Sequence, residues 1–155
     1  MSTPTKRELA HWRAFLETAL AVIDILDAEM QEQRGITLAW YDVLIHLEDA
    51  PDGLGMTEIA NRILFRKSGL TRVIDRMEAT GLVRRERPPE DRRVVKVLLT
   101  PAGYDALDAA RAVHRRGIQE HFVSHLGPAQ LEELASMLQG VREHVSGLRP
   151  GRISR

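Results

Sequence analysis

The 155-residue chain contains no cysteine, which excludes disulfides and thiolate metal sites. It also lacks net charge: 22 basic residues stand against 22 acidic ones, a balance that by itself speaks against a nucleic-acid binder. No apolar run approaches the roughly 18 residues of a membrane span, and no apolar leader precedes Glu8. Signatures of enzymes are missing too, with no nucleophile–base motif and no paired acids. Gly53-Leu54-Gly55 precedes a helix without the further glycine or lysine of a phosphate loop, so it reads as the end of a turn cluster running from Asp49. These absences predict a cytoplasmic protein that is not an enzyme and holds no cofactor. A hydrophobic share of 43% and this length suit one domain, 1–155, with one core.

What is present is mostly helical patterning. Over 6–33, Leu9, Leu16, Ile23 and Met30 recur every seven residues, with Trp12, Ala19 and Leu26 between them. That 3–4 spacing is a seam for a second helix. Phe15, Leu20, Val22 and Ile25 widen the apolar surface beyond one seam, so this helix is expected to have two partners. Gly35 stops it. A second helix spans 37–49, with Thr37 as its cap and Leu38, Tyr41, Leu44, Ile45 and Leu47 as its apolar face. Near the other end, Thr100-Pro101 is a helix start, with threonine as N-cap and proline in the first turn. That helix should run to about His125. Gly127-Pro128 breaks it, and Leu131, Leu134, Leu138, Val141, Val145 and Leu148 form a second uninterrupted seam. Residues 149–155 read as a loose tail. Two separate seams favour a dimer over a monomeric six-helix domain.

Between these ends lies Met56 to Thr100. Ile59, Ala60 and Ile63 mark a short helix over 57–64, and a break follows at Phe65-Arg66-Lys67. Leu70, Val73, Ile74 and Met77 then give the i, i+3, i+4, i+7 stripe of a core-facing helix. Its other face carries Ser68, Thr71, Arg72, Asp75 and Arg76, and Gly81 ends it. Two β-rich runs, 82–87 and 94–99, flank the charged turn Pro88-Pro89-Glu90-Asp91-Arg92-Arg93. Helix, turn, helix and two-stranded ribbon make a winged helix-turn-helix, a fold that sets its second helix into the DNA major groove. The charge distribution agrees. From Arg62 to Lys96 eleven basic residues face five acidic ones, so this stretch carries +6 and the remainder −6. A merely solvated surface would not keep its cations in register with the helix and wing; a phosphate-facing surface would.

Ser68-Gly69-Leu70-Thr71-Arg72, Ile74-Asp75-Arg76-Met77-Glu78 with Gly81-Leu82-Val83, and above all Asp91-Arg92-Arg93 with Leu99-Thr100 resemble the multiple-antibiotic-resistance regulator (MarR) family of bacterial transcription factors. The likeness runs through the flanking helices. It implies a mainly α fold with a small β-wing: a winged helix-turn-helix lobe at 37–100, and helical dimerisation regions at 6–33 and 101–148 that interlock between two chains. Without cysteine, the thiol-oxidation switch used by some members is closed to this one. The implied function is a sequence-specific DNA-binding regulator, a ligand-responsive repressor acting as a homodimer on a palindromic operator. Its partners would be double-stranded DNA, a second copy and a small-molecule effector of aromatic or phenolic type, with no membrane.

Individual roles follow from position. Ser68, Thr71 and Arg72 lie at the end of the second helix that reaches base edges, with Arg72 suited to a bidentate contact to guanine and Thr71 to a base or thymine methyl. Gly69 allows close approach. Arg66, Lys67 and Arg76 suit phosphates, which position the protein and carry salt dependence. Arg66 stands where a capping serine or aspartate is expected. At the wing, Arg93 is expected to enter the minor groove, with Arg92 as the alternative and Asp91 orienting the guanidinium. Val94 stands where a glycine would be unremarkable.

His121 and His125, four apart, with His114 and His46, raise a zinc-sensing alternative, since zinc sites use i, i+4 histidines. With no cysteine and only Glu120 beside them, polar interhelix packing is the better reading, and no metal is expected. Trp12, Phe15, Tyr41 and His46 offer aromatic walls with polar tips for an effector between the dimerisation helices and the DNA-binding lobe, against the plainer reading that they are core. A winged-helix protein-interaction module without DNA binding is the remaining alternative, because a fold does not dictate its partner.

Overall fold

The computed structural model describes residues 3–65 and 68–148. Its elements are α1 (Lys6–Arg34), α2 (Leu38–Glu48), β1 (Leu54–Gly55), α3 (Met56–Arg62), α4 (Leu70–Ala79), β2 (Val83–Glu86), β3 (Lys96–Leu99), α5 (Pro101–His121) and α6 (Pro128–Leu148). A short 3-10 turn, Val123–His125, lies between α5 and α6. Among the described residues no helix is long and apolar enough to cross a membrane.

The expected elements are present, with three corrections. The ribbon is a three-stranded antiparallel sheet in the order β1-β3-β2, because Leu54 and Gly55 pair with Val97 and Lys96. Two residues are too few to show an alternating pattern, so this strand exists only through its partner. The helix expected to reach about His125 ends at His121, where Phe122 leaves helical backbone geometry. The helix after the break begins at Leu70, not before Ser68.

Capping chemistry sets several boundaries. Gly35 takes a left-handed conformation and closes α1. The Thr37 hydroxyl accepts the Trp40 N–H at 3.2 Å. Asp27 of α1 accepts the Leu38 N–H at 2.6 Å, so α2 is capped from its own flank and from a neighbour. Thr100 accepts the Gly103 N–H at 3.0 Å and donates to the Gly81 carbonyl at 2.6 Å. A Cβ on Gly103 would stand 2.1 Å from the Leu82 carbonyl oxygen. The Leu-Thr-Pro start of α5 is therefore locked against the entry to β2, and only glycine allows so close an approach.

The core gathers Met30 from α1, Leu44 and Leu47 from α2, Ile59 from α3, Ile74 and Met77 from α4, Val83 and Val97 from the sheet, and Leu107 and Val113 from α5. α1 contributes buried residues only at Leu26 and Met30. Past Gly117 no described residue is buried. Both sequence seams thus lie open over much of their length: Leu9, Trp12 and Leu16 on α1, and Leu138, Val141 and Val145 on α6, are all exposed.

Among the described residues, one charged side chain sits in this interior. Asp42 of α2 is 4% exposed and its Oδ2 accepts the Leu64 N–H at 2.5 Å and the Phe65 N–H at 3.0 Å. His46, one turn on, approaches Oδ1 at 3.5 Å. The carboxylate thereby fastens the chain leaving α3 to α2, where no strand or helix would satisfy those two donors. Asp42→Ala should cost roughly 1.5–3 kcal/mol in urea unfolding, and Asp42→Asn, which keeps an acceptor, should cost less. Equal losses for the two would mean the acceptor is not what matters.

Between α2 and α5, the Tyr41 and His114 rings meet with centroids 4.6 Å apart. Burial disfavours the imidazolium and lowers the His114 pKa from its ordinary 6.5. The unfolded chain takes up this proton more readily than the folded one. The stability this residue contributes is therefore complete above about pH 6.5 and lost as pH falls below it. His114→Phe, which keeps a ring against Tyr41, should lose less stability than the native chain between about pH 7.5 and about pH 5.5; parallel losses would clear His114 of the effect.

Candidate nucleic-acid interface

α4 is the element around which the cationic residues are arranged. Leu70, Ile74 and Met77 are buried, and Thr71, Arg72, Asp75 and Arg76 are exposed on the other side. Its end is a Schellman turn: the Leu82 N–H donates to Met77 and the Gly81 N–H to Glu78, both at 2.9 Å, with Gly81 at a φ of 78°. Its start is Gly69, at a φ of 82° and with no side-chain cap. The cap position is thus three residues beyond Arg66, and the expectation of a serine or aspartate there does not hold. Ser68 belongs to the preceding turn, exposed but outside the helix. Arg66 and Lys67 lie outside the described residues.

The wing is tied to α4 by an arginine that sequence reasoning counted only as surface charge. Arg85 of β2 lies opposite Val97 of β3. Its guanidinium reaches Asp75 at 2.7 Å and pairs with Glu78, and its own N–H donates to Glu78 at 2.9 Å. Burial works against the charged form, but the hydrogen bonds the guanidinium donates to Asp75 and Glu78 outweigh it and raise the Arg85 pKa. Two acids on the α4 face are in this way compensated from within the protein. Arg84 pairs with Glu86 on the same strand.

Pro88–Arg93 forms a hydrogen-bonded turn. The Asp91 N–H donates to Pro88 and the Val94 N–H to Asp91, each at 3.2 Å. Asp91 orients Arg93, though not as expected: its Oδ1 accepts the Arg93 backbone N–H at 3.0 Å, so it shapes the main chain and leaves the guanidinium unheld. Arg87 donates to the Arg92 carbonyl at 2.9 Å. Val94 is 40% exposed at the end of this turn. Arg62, Arg72, Arg76, Arg92 and Arg93 are exposed and, among the described residues, none is within salt-bridge distance of a carboxylate.

The four residues proposed for an effector are not brought together in this chain. Trp12 and Phe15 face each other on the exposed half of α1, with centroids 6.0 Å apart. Tyr41 is core, against His114, and His46 sits beside Asp42. A cleft of about 430 Å³ does open between α1, α2 and α4, lined by Asp24, Asp27 and Gln31, by Trp40, and by Phe65 and Arg76 among others. Arg76, expected at phosphate, is thus also a wall of this cleft. Asp24, Asp27 and Gln31 follow a helical 3–4 spacing that was visible in the sequence, but a polar stripe reads first as a solvated face.

The zinc pairing also fails on geometry. α5 ends at His121, so His125 is not on the same helical face. His121 Nε2 instead meets Glu29 of α1 at 2.7 Å. Among the described residues no three histidine, cysteine, aspartate or glutamate side chains converge to hold a metal ion.

Comparison with known proteins places this arrangement. A family model described as MarR family matches residues 34–94. The crystal structure of AbsC, a MarR family transcriptional regulator from Streptomyces coelicolor, superposes with a TM-score of 0.83 at 31% identity, covering 95% of this chain and 99% of that one. Sco3205, a MarR family regulator from the same organism solved in complex with DNA, gives 0.83 at 30% identity over 96% and 95% of the two chains. YkoM of Bacillus subtilis, an uncharacterized HTH-type transcriptional regulator, is 33% identical over 89 residues, and the match spans 57% of each protein. Since the two Streptomyces regulators match from the first helix through the wing to the last, and not at the wing alone, the chain belongs to the MarR family of winged helix-turn-helix transcription factors.

Proposed function

We propose that two copies of this chain form a homodimer that binds a palindromic DNA operator and represses transcription until an effector is bound. The observation that carries this reading is the exposed cation set on α4 and the wing, Arg72, Arg76, Arg92 and Arg93, without carboxylate partners among the described residues. The rest of the chain is acidic by six charges. Such a distribution favours one approach of the duplex and opposes others.

Dimerisation rests on the open seams. The exposed apolar side chains of α1 and α6 are far more than a monomer leaves uncovered; those of α1 lie mostly toward its first half, before the stretch that packs into the core through Leu26 and Met30, and past Gly117 no described residue is buried. A two-fold pair would set two α4 helices about one helical turn apart, ~10 bp centre to centre. In each half-site Arg72 reads a guanine from the major groove, Thr71 a neighbouring base, and Arg76 with Arg66 and Lys67 the phosphates. Arg93, or Arg92 beside it, enters the flanking minor groove, where a narrow A·T-rich segment concentrates negative potential.

The effector site is the cleft between α1, α2 and α4. It is supported by its walls: Phe65 lies in the segment after α3, Val73 and Arg76 belong to α4, and Asp24 and Asp27 to α1. Anything that fills it touches the dimerisation helix and α4 together. A small aromatic or phenolic molecule preferring a spacing of the α4 pair that mismatches the operator weakens DNA binding by its differential affinity.

Arg72→Ala should cost ~1–3 kcal/mol of DNA binding and relax selectivity at one base position of each half-site, measured on duplexes varied one pair at a time. A uniform loss on all sequences would make Arg72 a phosphate contact. Arg93→Ala should weaken binding in proportion to flanking A·T content and leave the central half-site preferences unchanged; indifference to every flank would remove the wing from recognition.

A further inference from the structure

Between the first turns of α3 and α4 lies a shallow hollow of about 340 Å³, lined by Met56, Thr57, Ala60, Gly69, Leu70 and Thr71. None of its α3 residues entered the assignment of base contacts above. Among the described residues the lining carries no charge. Met56, Ala60 and Leu70 supply hydrocarbon, and the two threonines supply a methyl and a hydroxyl on opposite sides. Gly69 leaves the rim open, since a Cβ there would meet nothing within 4 Å. Arg72, the next residue after Thr71, is exposed on α4.

A phosphate gains little from an uncharged, largely apolar depression. The major groove edge presents one group that fits it, the 5-methyl of thymine, which is read by apolar contact with side chains such as alanine and the threonine methyl. We infer that this hollow is a thymine-methyl pocket, in which Met56 and Ala60 of α3 act with Thr71 of α4 to select a thymine next to the guanine met by Arg72. The inference rests on the DNA-binding reading. It adds that the first helix of the pair contributes to sequence choice and does not only cross the backbone.

The test takes the duplex that the full-length protein selects from a random pool and replaces each thymine singly by deoxyuridine, which removes the methyl and nothing else. Burial of one methyl corresponds to about a fourfold change in affinity. The native protein should lose about fourfold at one thymine per half-site. Thr71→Ser, which removes the threonine methyl and keeps the hydroxyl, and Ala60→Val, which fills the hollow, should each abolish the thymine–uracil difference there. Thr71→Ser alters an exposed side chain, so it decides the matter if Ala60→Val fails to fold. No position sensitive to the methyl, a selected duplex without thymine beside the guanine, or an undiminished difference in Thr71→Ser would overturn the pocket while leaving DNA binding intact. Failure to select any duplex at low ionic strength would overturn the DNA-binding reading itself.

Discussion

The Asp42 carboxylate is the constraint on which the rest of the arrangement turns. It is the one buried charged side chain in the described core, and it spends its hydrogen bonds on the two N–H groups where the chain leaves α3 and heads toward α4. Those donors belong to no helix or strand. A carboxylate taken out of water is costly unless its lone pairs are occupied, so this geometry tolerates little drift of α3 relative to α2. The point from which the chain leaves α3 toward α4 is thereby fixed from α2, an element that bears none of the proposed DNA contacts.

A second constraint comes from the opposite end of α4. Its Schellman turn, the Thr100 hydroxyl on the Gly81 carbonyl and the approach of Gly103 to the Leu82 carbonyl bring the end of α4, the start of β2 and the start of α5 to one point. Arg85 then braces β2 against the acids of α4. Helix and wing are thus held as one body with α5, and α5 crosses α1 where Gly117 lets Leu26 approach. In the proposed dimer, a change in how α1 and α6 meet the second copy would reach α4 through these packed side chains. The cleft lined by α1, α2 and α4 touches the same elements, so the linkage proposed between effector and DNA would run through contacts within one chain.

Charge in this protein is divided by use. Of the basic residues between Arg62 and Lys96, Arg84 and Arg85 are turned to acids of the protein itself, and Arg87 to the wing backbone. The remainder of the described arginines in that stretch face outward. A neutral total charge therefore conceals a working cationic face, since solvation acts on local potential and not on the sum.

Much of this was legible in the amino-acid sequence because it is local. The stripe Leu70, Val73, Ile74, Met77 predicts a helix and its buried side; Thr37, Thr100-Pro101, Gly35 and Gly81 predict ends; the spacing of Leu9 through Met30 and of Leu131 through Val145 predicts seams, which a single chain covers at Leu26 and Met30 and leaves open over much of the rest. Each follows from the period of a helix or the preference of one residue for one backbone conformation. What tertiary structure alone decided involves partners distant along the chain. β1 is a strand only because β3 lies beside it. Arg85 is a brace because Asp75 and Glu78 face it across a sheet edge, and Asp91 shapes a backbone because the turn directs the Arg93 N–H at it. Trp12, Phe15, Tyr41 and His46 share a chemistry but not a place, while Asp24, Asp27, Trp40, Phe65 and Arg76, unrelated in sequence, share a cleft. Periodicity tells a side chain which way to face, and only packing tells it what it will meet.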